Sequence, residues 1–144
     1  MTITHLSPTN SSELHSLLTL YQKVFSMEVQ SPSAKYFQEL LQRPEVQFGI
    51  ATEGEQIIGG YTIYILPSIY RTQPDIYLYD LAVDTDWQGH GIGKALISHL
   101  KTYAKEVSAR SIYCSADIDS VQGNEFYQRN DFEKESVNEY RYTL

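Results

Sequence analysis

The sequence predicts an α/β protein built on one mixed β-sheet flanked by helices. Three observations carry that expectation. Two strands follow one another across a hairpin turn in the middle of the chain. Strands then alternate with helices, the pattern of a sheet with parallel crossovers. A glycine-rich loop joins a long strand, Asp75 to Asp84, to an amphipathic helix.

Each element has a local reason. Thr2 to Leu6 alternates and reads as a strand. Ser7-Pro8-Thr9-Asn10 is a turn that offers helix caps. Leu14, Leu17, Leu18, Tyr21, Val24 and Phe25 recur at helical spacing. Ser31 ahead of Pro32 reads as an N-cap with proline in the first helical position. Tyr36, Phe37, Leu40 and Leu41 give that second helix one apolar face, and Arg43-Pro44-Glu45 ends it. Val46 to Thr52, the turn at Gly54-Glu55 and Gln56 to Leu66 form the hairpin. Gly59-Gly60 inside its second strand points to a bulge or a close backbone approach. A loop from Pro67 to Pro74 leads to the strand Asp75 to Asp84.

Beyond the glycine loop, Ile92, Leu96, Leu100, Tyr103 and Val107 form a helical stripe through Glu106. Lys94, Lys101 and Lys105 take the opposite face. Residues 111 to 116 read as a strand and 120 to 129 as a helix. Phe132 to Leu144 alternates loosely and is expected to close the sheet with one or two strands.

Composition narrows the function. With 144 residues, the chain is expected to form one domain over residues 1–144. It is long enough to bury roughly 68–70% of its unfolded surface without disulfides or structural metal. Eighteen acidic residues against 11 basic ones leave a net charge of −7. Nucleic-acid binding, which needs clustered cations, is therefore not expected, and cationic partners are favoured. No run approaches the ~20 apolar residues of a membrane helix, and the start has no secretory signal. Cys114 is the only cysteine. No multi-cysteine metal site forms, the residue reads as a small buried hydrophobe, and a cytoplasmic setting is expected. The four histidines have no ligand-like spacing, so no metal is expected.

The chemistry concentrates in Leu81-Ala82-Val83-Asp84-Thr85-Asp86-Trp87-Gln88-Gly89-His90-Gly91-Ile92-Gly93-Lys94. Glycines let a ligand approach the backbone. A helix start offers free N–H groups and a positive dipole end, which suit phosphate. The segment departs from a Walker A loop at Gln88 and Ala95, and from a dinucleotide fingerprint at Lys94.

Gln88-x-x-Gly91-x-Gly93 after Leu81-Ala82-Val83 resembles the Q/R-x-x-G-x-G/A acyl-CoA loop of GNAT N-acetyltransferases. Phe126-Tyr127-Gln128-Arg129-Asn130-Asp131-Phe132 is similar to that family's later Y-x-x-x-G-F segment, with Asp131 in place of glycine. A narrower resemblance, carried by Tyr64-Ile65-Leu66-Pro67, by Ile76 to Val83, by Ile112-Tyr113 and by Ala116-Asp117, is to the aminoglycoside 3-N-acetyltransferases. It implies a GNAT-like mixed sheet with central strands splayed around acyl-CoA.

The resemblance implies acetyl transfer from acetyl-CoA to a primary amine by direct attack. Gln88, Gly89, His90, Gly91, Ile92, Gly93 and Lys94 would hold the pyrophosphate, mainly through backbone N–H groups. Lys94 has two readings, phosphate contact or solvated helix face. Leu81, Ala82 and Val83 would pair with the pantetheine arm like an added strand. Tyr127 matches the family tyrosine and would protonate the leaving thiolate. Asp80 is the candidate base, placed by strand alternation with Ile76, Leu78 and Ala82. Asp117 is the candidate substrate contact. The expected acceptor is a small cationic molecule such as an aminoglycoside. Peptide N-acetylation and a non-catalytic acyl-CoA-binding module are the alternatives, and a homodimer is an allowed state.

Overall fold

The structure is a computed structural model that describes residues 1–144. Five strands form one sheet in the order β1-β2-β3-β4-β5: Thr2–His5, Val46–Glu53, Gln56–Leu66, Asp75–Val83 and Ser111–Cys114. The first four are antiparallel, and β4 and β5 are parallel. Helices α1 (Ser11–Phe25) and α2 (Ala34–Leu41) join β1 to β2. Helix α3 (Ile92–Glu106) makes the crossover between β4 and β5, and α4 (Val121–Arg129) follows β5.

The sheet separates two cores. Leu14, Leu17, Leu20 and Tyr21 of α1 and Phe37 and Leu41 of α2 pack on Val46, Phe48 and Ile50. On the other face Ile92, Leu96, Ile97, Leu100 and Ala104 of α3 pack on Tyr61, Ile63, Ile76 and Leu78. Each fully buried Leu or Ile contributes roughly 1.5–3 kcal/mol, so these faces fix which way each helix turns. The α3 stripe read from sequence is therefore the buried one, widened by Ile97 and Ala104. Lys101 is less free than its face suggested. Its Nζ donates to the Asn130 carbonyl at 2.7 Å and meets Asp131 at 3.2 Å, tying α3 to the end of α4.

Gly59 and Gly60 do mark a close approach. A Cβ on Gly60 would lie 2.6 Å from Leu17 Cδ1 and 2.7 Å from the Gly49 carbonyl. A bulge lies beside them, where pairing shifts between Ala51–Gly59 and Thr52–Ile57. His99 is structural as well: its Nδ1 lies 2.9 Å from the Tyr61 hydroxyl. Burial and the neighbouring His99 hold His5, against the same tyrosine, down to about 4.

Four expectations need correction. The α2 cap is Ser33, whose Oγ accepts from the Tyr36 N–H at 3.2 Å. Ser31 instead meets His15 Nδ1 at 3.0 Å, because Pro32 lies outside the helix. Strand β5 ends at Cys114 rather than 116. A second bulge, at Tyr79, puts Asp80 on the opposite sheet face from Ile76 and Leu78. Asp80 pairs with Thr62 while Leu78 pairs with Ile63, leaving Tyr79 without a partner on β3. Finally, residues 133–144 form no strand, and Val137, Tyr140, Tyr142 and Leu144 are at least 80% exposed. The left-handed turn at Asp131, φ 66°, is as the replaced glycine implied.

Candidate active site

The site begins where two strands part. Pairing between β4 and β5 runs from Asp75–Ser111 to Leu78–Cys114 and stops. Strand β4 continues to Val83, held only by β3. The backbone of residues 79–83 thus presents an edge without a partner strand toward β5, in the middle of a sheet. Such an edge accepts an extended chain by strand addition. Leu81, Ala82 and Val83 lie along it.

The next turn is built to keep negative charge out of the glycine loop. Asp84 is buried and its carboxylate accepts from Lys23 Nζ of α1 at 2.8 and 3.0 Å. It also accepts from the Asp86 N–H at 3.1 Å, capping a single turn of 3₁₀ helix over Thr85–Trp87. Lys23 holds the Asp84 carboxyl below the usual carboxylate range. Asp86 leans to the same lysine, 3.5 Å away.

Beyond that turn the chain reverses through Gly89 and Gly91, with φ of 79° and 80°. These left-handed values are costly for any residue with a Cβ. Nothing of the protein lies within 4 Å of the Cβ position at either glycine, which leaves a bare backbone surface. Helix α3 starts there with Gly91 as a cap that supplies no side-chain acceptor. Its first N–H groups and positive dipole end are free for an anion. Gln88 Nε2 donates to the Val83 carbonyl at 3.1 Å, tying the loop to the strand end. His90 Nδ1–H turns back to the carbonyls of Gln88, at 2.9 Å, and Trp87, at 3.2 Å. Ile92 is buried in the core, so only its backbone can serve a ligand. Lys94 is exposed one turn into α3.

Gly93 has a different reason. A Cβ there would meet Phe126 of α4 at 3.0 Å. The missing side chain makes room for an aromatic ring rather than for a phosphate. This contact seats α4, and α4 carries Tyr127.

Tyr127 is half-buried, with Phe126 and Phe132 edge-on at 5.4 and 5.5 Å between ring centres. Burial raises its phenol well above the ordinary value, and the neighbouring Cys114 and the charge of Asp80 push the same way. The hydroxyl stays protonated through the neutral range. Cys114 is half-buried beside it, and burial raises its thiol, so it is no ready nucleophile. Asp80 sits on the α1 side of the sheet with Thr62, whose Oγ1 lies 3.1 Å from the Tyr21 hydroxyl. Burial raises the Asp80 carboxyl and the Thr62 hydroxyl offsets part of that shift. The opening therefore has a protonated phenol toward α4 and a carboxylate toward α1.

Asp117 is exposed, in the segment after β5. Asn124 holds that segment, donating to the carbonyls of Asp117 at 2.8 Å and Ser120 at 2.7 Å. Sequence reasoning missed a row of aromatic rings near Asp80. Tyr64 and Tyr77 each stand edge-on to Tyr79, at 5.4 and 5.8 Å, and Tyr77 stacks on Tyr113 at 5.0 Å. The i, i+2 spacing of Tyr77 and Tyr79 was the available signal, masked by 12 tyrosines in the chain.

A sheet parted beside a glycine-capped helix start has known counterparts. The Acetyltransferase (GNAT) family matches residues 14–132. The chain belongs to the GNAT acetyltransferase family. GNAT enzymes use acetyl-CoA as cosubstrate, and this one is an acetyl-CoA-dependent N-acetyltransferase. A solved aminoglycoside acetyltransferase from an uncultured soil metagenomic sample, in complex with trehalose, is 32% identical. It superposes with a TM-score of 0.96, covering 99% of this chain and 95% of that one. A second soil metagenomic aminoglycoside acetyltransferase is 26% identical, with a TM-score of 0.93 and coverage of 99% and 97%. An uncharacterized N-acetyltransferase of Methanocaldococcus jannaschii is 35% identical over 60 residues, 42% of this chain. That match spans about a quarter of the archaeal protein, 26% of its length. No helix of this GNAT chain is long and apolar enough to cross a membrane.

The bare loop gives a direct test. Gly91→Glu places a side chain where only φ 80° is tolerated and adds a negative charge at the helix start. Acetyl-CoA affinity, measured by calorimetry on the folded variant, falls at least roughly tenfold, about 1.4 kcal/mol. Unchanged affinity would remove the loop from the cofactor site.

Proposed function

We propose that this chain acetylates a primary amine of a small, multiply charged cation of the aminoglycoside kind by direct attack. The observation that carries the reading is the parted sheet with Tyr127 toward one side and Asp80 toward the other. The acceptor class is supported by the 32% identity to a soil aminoglycoside acetyltransferase along 99% of the chain.

Acetyl-CoA, when bound, supplies the acetyl group as an activated thioester. The free N–H groups around Gly89 to Gly93, with the α3 dipole, bind its diphosphate, and Lys94 adds a screened charge. The open edge of Leu81, Ala82 and Val83 pairs with the extended pantetheine arm and fixes the direction of the acyl end. A backbone N–H on that edge serves as oxyanion donor. Asp80 takes a proton from the incoming ammonium, directly or through one water. As the nitrogen–carbon bond forms and the carbon–sulfur bond breaks, the Tyr127 hydroxyl gives its proton to the leaving sulfur, and the second proton that the nitrogen sheds on becoming an amide returns through water to the Tyr127 phenolate. A phenol is a weaker acid than a thiol and burial weakens this one further, so the transfer is uphill and depends on the two groups being held in contact.

The tyrosine row extends the acceptor side. Cations favour aromatic faces, and Tyr79, next to Asp80 on β4, and Tyr113, stacked on Tyr77, are 60% and 46% exposed. A flat, amine-rich molecule can lie along such a wall with one amine at Asp80. Asp117, in the segment after β5, meets a more distant amine.

A turnover screen tests the acceptor. Aminoglycosides, spermidine and an alanine-terminated peptide are compared at equal concentration. The cations are turned over at higher kcat/KM than the peptide, and the preference shrinks in high salt as screening predicts. Asp117→Asn raises KM for the cations more than it lowers kcat. A peptide preference, or losses independent of salt, would overturn the cationic reading.

Tyr127→Phe keeps the ring and removes the acid. Under conditions where chemistry limits turnover, kcat falls by roughly 10²–10⁴-fold with little change in acetyl-CoA affinity. Full activity in the Phe variant would eliminate Tyr127 as the proton donor.

The pH profile tests Asp80. The base must be ionised, and burial raises its carboxyl above the usual value. Activity is therefore lost as pH falls through that raised pKa, and the loss begins at higher pH than an ordinary carboxylate, about 3.9, would give. Asp80→Asn abolishes this acid limb along with most of the rate. A limb of unchanged position in the Asn variant would assign it to another group.

A further inference from the structure

Apart from the tyrosines, three polar side chains are buried: Thr62, Asp84 and Asn130. Asp84 is taken up by Lys23 and the 3₁₀ turn. Asn130 donates from its amide to the Phe126 carbonyl at 2.8 Å and so closes the end of α4. Thr62 has no such structural duty. It stands in the middle of β3, on the α1 side of the sheet, where a buried hydroxyl destabilises the fold unless it finds partners.

Two neighbours supply them. From α1, the Tyr21 hydroxyl lies 3.1 Å from Thr62 Oγ1. Across the strand pair Thr62 stands opposite Asp80, and its hydroxyl bonds the carboxylate. Gly60 arranges the meeting. Gly60 and Thr62 are two residues apart on one face of β3, a step of roughly 6.8 Å. Leu17 and Tyr21 are four residues apart on α1, a step of roughly 6 Å. With no side chain at Gly60, Leu17 seats against the strand; a Cβ there would lie 2.6 Å from its Cδ1. Tyr21 then arrives over Thr62 one step later.

The protons in this row run one way. An ionised carboxylate only accepts, so Thr62 donates to it and is left to accept from Tyr21. That bond is the one hydrogen bond of the Tyr21 hydroxyl, and burial keeps the phenol protonated. Both hydroxyl protons thus have acceptors. A protonated Asp80 that turned its proton to Thr62 would reverse the row and aim the Tyr21 proton into packed side chains. One that turned its proton away would leave a neutral bond where a charge-assisted one stood.

We propose that Tyr21 and Thr62 are positioning residues for acetyl transfer, a one-way row of hydroxyls behind Asp80 that holds one carboxylate oxygen and leaves the other to accept a proton from the amine. The role rests on Asp80 being the base. No lysine or arginine shares the task, because none is ion-paired with Asp80. The titratable groups that sense its charge are Tyr21 from α1, Tyr64 from β3 and Tyr127 from α4, all phenols that stay neutral near pH 7. The row is therefore the counterweight to burial of the carboxylate.

Two substitutions at one position separate the hydroxyl from its packing. Thr62→Val keeps the branched shape and removes the hydroxyl. Thr62→Ser keeps the hydroxyl and removes a methyl group. The Asp80 carboxyl is followed across pH by carbon-13 NMR of the full chain labelled at aspartate, with Asp80→Asn to assign the signal. Thr62→Val raises its titration midpoint by roughly one pH unit and Tyr21→Phe by roughly half a unit, while Thr62→Ser leaves it in place. The acid limb of kcat/KM moves in the same order. A midpoint unmoved in Thr62→Val and Tyr21→Phe, or moved as far in Thr62→Ser as in Thr62→Val, would refute the row. Failure of the base assignment looks different: the acid limb survives in Asp80→Asn, or ignores a midpoint that has moved, and the positioning role falls with it.

Discussion

The parting of β4 from β5 after Leu78 and Cys114 is the constraint on which the site depends. Sheets rarely leave backbone groups without partners in their interior, because each one forgoes a hydrogen bond. Here the bulge at Tyr79 turns β4 at the point where pairing with β5 ends, while β3 holds register on the other side. The bulge also reverses which residues face which layer. Without it Asp80 would point into the core packed against α3, where a carboxylate is costly. With it Asp80 stands on the α1 side, and Tyr127 approaches the opening from the α3 and α4 side. One extra residue thus puts Asp80, the proposed base, and Tyr127, the proposed acid, on opposite sides of the sheet.

Charge is arranged around the same opening with few parts. The protein carries seven net negative charges, and the proposed reading has it receive an anion at the start of α3. Asp84 and Asp86 lie closest in sequence to the glycine loop, and Lys23 draws both aside. Asp84 then serves structure, capping the 3₁₀ turn and fastening α1 to the end of β4. The proposed anion site is mainly backbone, with Lys94 its one nearby side-chain cation.

Much of this order was legible in the sequence. Periodicity located most strands and helices, and the glycine spacing located the helix start. The positions that eluded it depend on contacts distant along the chain. In DIYLYDLAVD the apolar positions pass from Ile76 and Leu78 to Leu81 and Val83 with no glycine to mark the switch, and the register that places the bulge is Thr62 pairing with Asp80. Lys23 and Asp84 are 61 residues apart. Ser31 and Ser33 are both fair caps, and the outcome turned on where α2 could dock Phe37. The tail alternates as a strand does, yet residues 133–144 form none, because alternation supplies no partner edge.

The contact between Gly93 and Phe126 has a metric consequence. It sets the helix bearing Tyr127 directly against the helix start that would grip diphosphate. Two sites served by the two ends of one acyl carrier are thereby gauged from a single joint, and the distance between them works as a ruler. On the proposed reading, an acyl donor would be selected by the length of its arm as well as by its head. A short thioester that lacks the nucleotide can reach the phenol but has nothing to measure itself against.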